Sequence, residues 1–326
     1  MAERTPLIPV RQRLAYRVGM IEIREVGPED LERWIAMAGS VRPDRAGSAA
    51  EYLDWRRQAE DMAWFVASRD GEDVGVGFAY VGWHSAPGTG NGEAFVLPAH
   101  RSTGVGSALY RELASWVLER GCVTLETTVA EDDADSLRWV DRRGFREVGR
   151  SSRLVLDLTA IDAPAVAPPA GVEIVSWAER PELGPELYEV ACDALPYIPG
   201  REATQTDPYE TWLARDMLGA NDSAEATFIA IADGEVAGYA KLSLPSEPGA
   251  TVARHDITGV KREFRRRGIA SALKRAEIAW AKRAGYETLE TENEARNEPI
   301  RLLNEKHGYA VRPGLVVLRD SLAGIE

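Results

Sequence analysis

The sequence predicts two copies of one α/β (α+β) domain in tandem. Three observations carry this. A phrase of the form Arg-x-x-Gly-x-Gly/Ala occurs twice, as Arg101-Ser102-Thr103-Gly104-Val105-Gly106 and as Arg265-Arg266-Arg267-Gly268-Ile269-Ala270. Landmarks of the two halves keep one offset: Arg101 and Arg265, Gly104 and Gly268, and Gly144 and Gly308 are each 164 residues apart. Strand and helix signals around the phrase come in the same order in both halves. An unchanged offset across separated landmarks marks duplication of a whole domain. The repeat is too long for a solenoid unit, so each copy is expected to be globular.

Each half begins with a strand (21–26; 172–177), followed by helical stretches (29–38 and 48–60; 179–195 and 207–219). Two strands follow, joined by Asp70-Gly71 in one half and Asp233-Gly234 in the other, a hairpin signal between apolar runs. The hairpins are Trp64–Ser68 with 74–83, and Thr227–Ala232 with 236–244. A fourth strand (92–97; 255–260) enters the repeated phrase. The helix after it (104–120; 268–284) keeps apolar residues at helical spacing, Val105, Leu109, Leu113 and Val117 in one copy and Ile269, Leu273 and Ala276 in the other. Gly121 and Gly285 close these helices as C-caps. A fifth strand (122–129; 287–292), a short helix (133–142; 296–306) and a last strand (145–157; 309–318) complete each copy.

Pro164, Pro168 and Pro169 among alanines, without periodicity, read as a semi-rigid linker. The expected organisation is an extension at 1–19, a first domain at 20–160, a linker at 161–171 and a second domain at 172–326. Met20, just before the first strand, is a candidate alternative start. The net charge of −13 excludes a global basic field for nucleic acid and leaves only the local patch Arg265-Arg266-Arg267. Cys122 and Cys192, one per half, form neither a disulfide framework nor a zinc site and read as buried thiols. No apolar run approaches the ~18 residues of a membrane span, and no leader is evident, so the expected location is cytoplasmic.

The repeated turn delivers a strand into a helix N-terminus. It aims backbone N–H groups at one point on the positive end of the helix dipole, which suits a phosphate-bearing ligand. The first copy is not a Rossmann fingerprint, because Leu109 stands where the third glycine belongs and the turn lies mid-domain. Neither copy has the Gly-Lys-Ser/Thr of a P-loop. In context, the order is strand, Val-x-Pro-x-x-Arg-x-x-Gly-Val-Gly-x-x-Leu, helix, strand, short helix, Gly-Phe, strand. This resembles the GNAT superfamily of N-acetyltransferases over nearly all of residues 20–320, in two copies. The second copy adds Asn297-Glu298-Pro299-Ile300 ahead of Gly308-Tyr309, similar to the family's Asn-containing fourth helix.

The resemblance implies two tandem GNAT-fold domains, each a mixed, mostly antiparallel sheet flanked by helices. It implies acetyl-CoA as cosubstrate, no metal, and transfer of an acetyl group to a small-molecule amine by direct attack. The residues it assigns to the cosubstrate are Val96, Arg101, Ser102, Thr103, Gly104, Val105, Gly106 and Ser107 in the first copy. In the second they are Val260, Arg265, Arg266, Arg267, Gly268, Ile269, Ala270 and Asn297. A bulge in the fourth strand would free one N–H to polarise the thioester. The family's acid is commonly a tyrosine four residues before the Gly-Phe glycine; here that place holds Asn304 in one copy and Val140 in the other. Asn304 can hydrogen-bond a sulfur but is no ordinary acid.

Candidate bases lie on the fourth strands. They are His255 and Asp256, with strand alternation placing Asp256, Thr258 and Val260 on one face, and Glu93 in the first copy. Tyr197 and Glu93 are candidate acceptor contacts. Trp55, Trp64 and Trp83 read as core and rim, Gly88–Gly92 as a hairpin loop, and Glu131-Asp132-Asp133 as a solvated loop. The counterpart of Asn297 in the first copy is Asp133, and that of Asn304 is Val140, which makes the second copy the expected catalytic one. The alternatives are an acyl-CoA-binding module without catalysis, a structural first domain, and a mycothiol-synthase-like acetylation of an amino-thiol. No nucleic acid or membrane partner is expected, and the chain is expected to act as a monomer or homodimer.

Overall fold

The computed structural model describes residues 17–18, 21–59, 61–82, 85–197, 206–247 and 249–324. The chain divides into two compact units, residues 1–127 with 319–326, and residues 128–318. In the first unit, β1 (Arg17–Val18) pairs with the start of β2 (Ile21–Val26), so the expected extension contributes a strand at its end. The rest of that extension lies outside the described residues. Helix α1 (Leu31–Val41) and helix α2 (Ala49–Gln58) follow; a capping box between Ser48 and Glu51 opens α2. The hairpin of β3 (Asp61–Arg69) and β4 (Glu72–Val81) turns on Asp70-Gly71, both at positive φ. Strand β5 (Thr89–Val96), helix α3 (Val105–Leu118) and strand β6 (Thr124–Ala130) complete the order β1-β2-β3-β4-β5-β6. All pairs are antiparallel except β5–β6.

The second unit opens with α4 (Ala134–Asp141) and β7 (Arg146–Asp157), which belong to the first copy by sequence. Then come β8 (Val172–Ser176), α5 (Gly184–Ala194) and a single turn α6 (Tyr209–Trp212) that widens into a π-helical turn, Leu213–Met217. The hairpin β9 (Thr227–Ala232) and β10 (Glu235–Ser243) leads to β11 (Val252–Val260) and α7 (Ile269–Arg283). Strand β12 (Thr288–Glu294) and helix α8 (Glu298–Lys306) follow. The expected single last strand is broken into β13 (Ala310–Arg312) and β14 (Leu315–Ser321) at Pro313-Gly314. Pro313 has no N–H for a ladder, and a Cβ on Gly314 would collide with the Ser151 carbonyl oxygen.

Within this unit the order is β14-β7-β12-β11-β10-β9-β8, with β13 also on β7. Every residue of β12, Thr288 to Glu294, pairs with β7, where Leu154 and Leu156 are buried among Ile278, Leu289 and Tyr309. These compact units are cut at other places than the two copies of the repeat, expected at 20–160 and 172–326. The last strand of the first copy serves the second unit, and residues 319–326 serve the first. There Arg319 Nε donates to Glu126 at 2.6 Å, the Leu322 N–H to the Val123 carbonyl at 2.9 Å, and the Tyr110 hydroxyl to Asp320.

Helix α7 covers one face of the second sheet through Ile269, Leu273 and Ala276, packed with Phe264 and Ala240. Helix α5 covers the other face through Leu187 and Val190, packed with Trp177, Trp212 and Tyr239. In the first unit α1 and α2 bury Trp34, Ile35 and Tyr52 against Trp64, Phe78 and Phe95.

Candidate active site

The two repeated turns have the same backbone. Arg101 and Arg265 are extended (φ −67 and −66), Ser102 and Arg266 are left-handed (φ 61 and 62), and Gly104 and Gly268 are left-handed N-caps (φ 94 and 84). A glycine cap takes the left-handed conformation without Cβ strain and offers no side chain to the opening turn. The first intrahelical bonds run from the Ala108 N–H to the Gly104 carbonyl and from the Ala272 N–H to the Gly268 carbonyl. The N–H groups of each opening turn consequently have no acceptor within the helix. The motif arginine closes the loop on its own strand: Arg101 Nε donates to the Val96 carbonyl at 3.3 Å, and Arg265 Nε to the Val260 carbonyl at 3.0 Å. Both arginines thus shape the cradle.

Beside each cradle the sheet opens. The parallel β5–β6 ladder ends at Asn91↔Glu126 and the β11–β12 ladder at Arg254↔Glu290, while β5 and β11 run on to Val96 and Val260. The copies differ on the other side of the strand. Ladder β4–β5 keeps unbroken register from Gly75↔Val96 to Tyr80↔Asn91. Ladder β10–β11 shifts register: Lys241 faces Ile257 and Leu242 faces His255, leaving Asp256 as the extra residue of a β-bulge.

The bulge breaks the expected alternation. Ile257 joins the α5 side and Val260 the α7 side, whereas Asp256 reaches Lys241, with Oδ2 2.7 Å from Nζ. Lys241 is 2% exposed, and its Nζ also donates to Asp222 Oδ1 at 2.6 Å and to the Asp216 carbonyl. Burial opposes its charge, but Asp256 and Asp222 outweigh that and hold its pKa above the usual value.

On the α7 side, a buried polar cluster replaces apolar core. His255 Nε2 hydrogen-bonds the Tyr309 hydroxyl, and His255 Nδ1 lies 3.1 Å from Glu277, which lies 3.5 Å from Lys274. Burial pulls His255 and Lys274 down and pushes Tyr309 well up. Asn304 is fully buried with both amide atoms lacking a hydrogen-bond partner. Asn297 is the N-cap of α8, yet its side chain makes no cap bond; its counterpart Asp133 caps α4 by accepting from the Ser136 N–H at 3.0 Å.

The sequence matches the model of the acetyltransferase (GNAT) family twice, over residues 29–145 and 185–309. The chain belongs to the GNAT acetyltransferase family, with two GNAT domains in tandem. Among solved structures, a GCN5-related N-acetyltransferase from Sphaerobacter thermophilus is similar over 93% of this chain and 96% of its own, at 21% identity and a TM-score of 0.72. A tandem GNAT protein from the clavulanic acid biosynthesis pathway aligns over 93% of this chain and 98% of its own, at 20% identity and a TM-score of 0.72. No curated protein matches the sequence.

In this GNAT chain the two cradles bring Arg101–Ser107 and Arg265–Ala270 to helix N-termini as expected from the motif. The remaining candidates fall differently. Glu93 is buried, 7% exposed, and held by Arg42 at 3.0 Å and by both Nε (3.0 Å) and Nη2 (2.5 Å) of Arg45. Burial disfavours the Arg45 charge, but Glu93 outweighs it and raises its pKa. Around them Trp55 packs edge to face on Phe78 and Tyr80 and tilted on Tyr52, partly buried at the margin of the core, whereas Trp64 is fully buried within it. Tyr52 is pushed up to about 12, chiefly by burial.

Tyr197 lies at the second cradle, half-exposed, with the Arg265 guanidinium 4.2 Å from its ring centre. Residues 198–205 and Trp83 lie outside the described residues. Cys122 and Cys192 form no disulfide and are only partly buried, contrary to the buried reading. Among the described residues no His/Cys/Asp/Glu group suited to a metal occurs, and no helix is long and apolar enough to cross a membrane.

Sequence reasoning missed Lys241, because a lysine within an apolar hairpin strand carries no motif. It also missed Asp193, whose Oδ2 accepts from the Arg262 N–H at 2.8 Å and ties α5 to the second cradle.

Proposed function

We propose that the second unit transfers the acetyl group of acetyl-CoA to a primary amine of a small molecule. The bulge at Asp256 carries this reading. Among the described residues, only the second copy combines the cradle, the open sheet and an interrupted fourth strand. The cradle suits a diphosphate on its own features: a glycine cap, an unsatisfied helix opening, and exposed Arg266 and Arg267. Bound acetyl-CoA would supply the acyl thioester. Backbone N–H groups of Gly268 to Ala270 would hold the phosphates, and Asn297, free of a capping duty, would contact the pantetheine arm.

The bulge would place a backbone N–H outside the ladder, directed at developing negative charge. Asp256 would take the proton of the incoming ammonium, so that nitrogen bonds to the acetyl carbon as the carbon–sulfur bond breaks. Asn304 is buried and not acidic and would donate no proton to the sulfur, so CoA would leave as the thiolate and take its proton from water. The net charge of −13 favours a small cationic acceptor over nucleic acid or an anionic membrane.

The first unit keeps the cradle, but Glu93 and its two arginines fill the place beside the strand. We read it as a domain that binds an acyl-CoA-type ligand without turnover. Gly268→Glu and Gly104→Glu, each closing one cradle, separate the units. With acetyl-CoA and a panel of small amines, CoA release is expected to fall by at least about a hundredfold in the first variant and to persist in the second. Loss from Gly104→Glu alone would overturn the assignment.

A further inference from the structure

An ammonium group has three donors and no acceptor. Lys241 spends all three within its own unit, on Asp222 at 2.6 Å, on Asp256 at 2.7 Å and on the Asp216 carbonyl. The three acceptors come from separate places: Asp216 from the π-helical turn Leu213–Met217, Asp222 from the loop after it, and Asp256 from the bulge. Burying a lysine is costly unless it is well paired, and the first copy does without one. Phe78 stands three residues after Gly75, which pairs with Val96; Lys241 stands three residues after Gly238, which pairs with Val260. With Phe78 the ladder is regular. With Lys241 the register shifts immediately after it, opposite Asp256.

We infer that Lys241 is a positioning residue for acetyl transfer. It clamps the bulged Asp256 to the acceptor-side turn and loop and so fixes both the extra carboxylate and the interrupted backbone. The inference rests on the reading of the second unit as catalytic. Lys241 acts through Asp256 and touches no part of the cradle Arg265–Ala270. The split between Lys241 and Phe78 thereby decides which copy carries an interrupted strand.

Lys241→Met keeps an unbranched side chain of similar bulk, one atom shorter, and removes its donors. In the full chain, with the best acceptor of an amine panel, kcat for CoA release is expected to fall by about tenfold or more, while KM for acetyl-CoA stays within about twofold. In an Asp256→Asn background the same change is expected to have almost no further effect, because both substitutions remove one coupled unit. Full multiplication of the two losses, or an unchanged kcat, would overturn the inference. Asp222→Asn keeps the buried lysine paired with Asp256 while weakening the clamp, and a several-fold fall in kcat is expected. If Lys241→Met does not fold and Asp222→Asn has the parental kcat, the inference is also overturned.

Hydrogen exchange separates this from the catalytic reading. The clamp requires faster exchange at residues 254–258 in Lys241→Met or Asp222→Asn, with residues 269–283 unchanged. Faster exchange with no CoA release by the parent protein on any amine would leave the clamp standing and remove its catalytic role. Unchanged exchange would remove the clamp itself.

Discussion

Glu93 and Asp256 occupy the same strand of the repeat and differ in what faces them. Glu93 meets Arg42 and Arg45 across a packed aromatic face, so its oxygens are spent on structure. Asp256 meets one buried lysine and keeps half its side chain exposed, at 49%. Two histidines contribute to the pH response of the second unit. Burial, then Arg275, Lys274 and Lys306, pull His307 from an ordinary 6.5 down to about 4, and burial lowers His255 as well. The unfolded chain then binds a proton that the folded chain refuses. The stability associated with His307 is complete above pH 6.5 and is lost as pH falls through about 4. Urea unfolding between pH 7 and 4 is expected to show this loss, and His307→Gln to flatten it; an equal slope in the variant would rule out His307 as the source.

At the scale of elements, the two short helices that follow the fifth strands have diverged at their first residue. Asp133 caps α4 through the Ser136 N–H, whereas Asn297 makes no cap bond on α8. Asp133→Ala is expected to lower unfolding free energy by about 1 kcal/mol. Asn297→Ala is expected to change stability by no more than a few tenths of a kcal/mol and to weaken acetyl-CoA binding in calorimetry. Equal destabilisation by both would show that Asn297 is an ordinary cap. The paired outcome would explain why Asp and Asn stand at equivalent places: one is retained for the helix, the other for a ligand.

At the scale of the molecule, each unit is built from both ends of the repeat. The second unit needs β7, which pairs with β12 along its whole length and buries Leu154 and Leu156. A fragment cut at the linker, residues 165–326, lacks that strand and exposes an apolar edge. It is expected to be unfolded or aggregated by circular dichroism and light scattering. Residues 128–318, which keep the strand, are expected to unfold cooperatively. A stable, monomeric 165–326 fragment would show that β7 is dispensable.

The repeat, the order of elements up to the broken last strand and both strand–turn–helix loops could be read from the chain alone. Those depend on local signals: Asp-Gly turns, left-handed glycines at helix starts, and apolar periodicity. The tandem GNAT fold was legible because Gly104, Gly268 and their neighbours sit in one fixed strand–turn–helix context. Tertiary structure alone decided which unit β7 completes, since a strand's partner is chosen by a distant edge and its core, here Leu289 and Ile278. It alone decided that Glu93 is locked while Asp256 stands on a bulge. A carboxylate's role is set by the charges brought against it, and Arg45 and Lys241 arrive from other elements, 48 residues from Glu93 in one case.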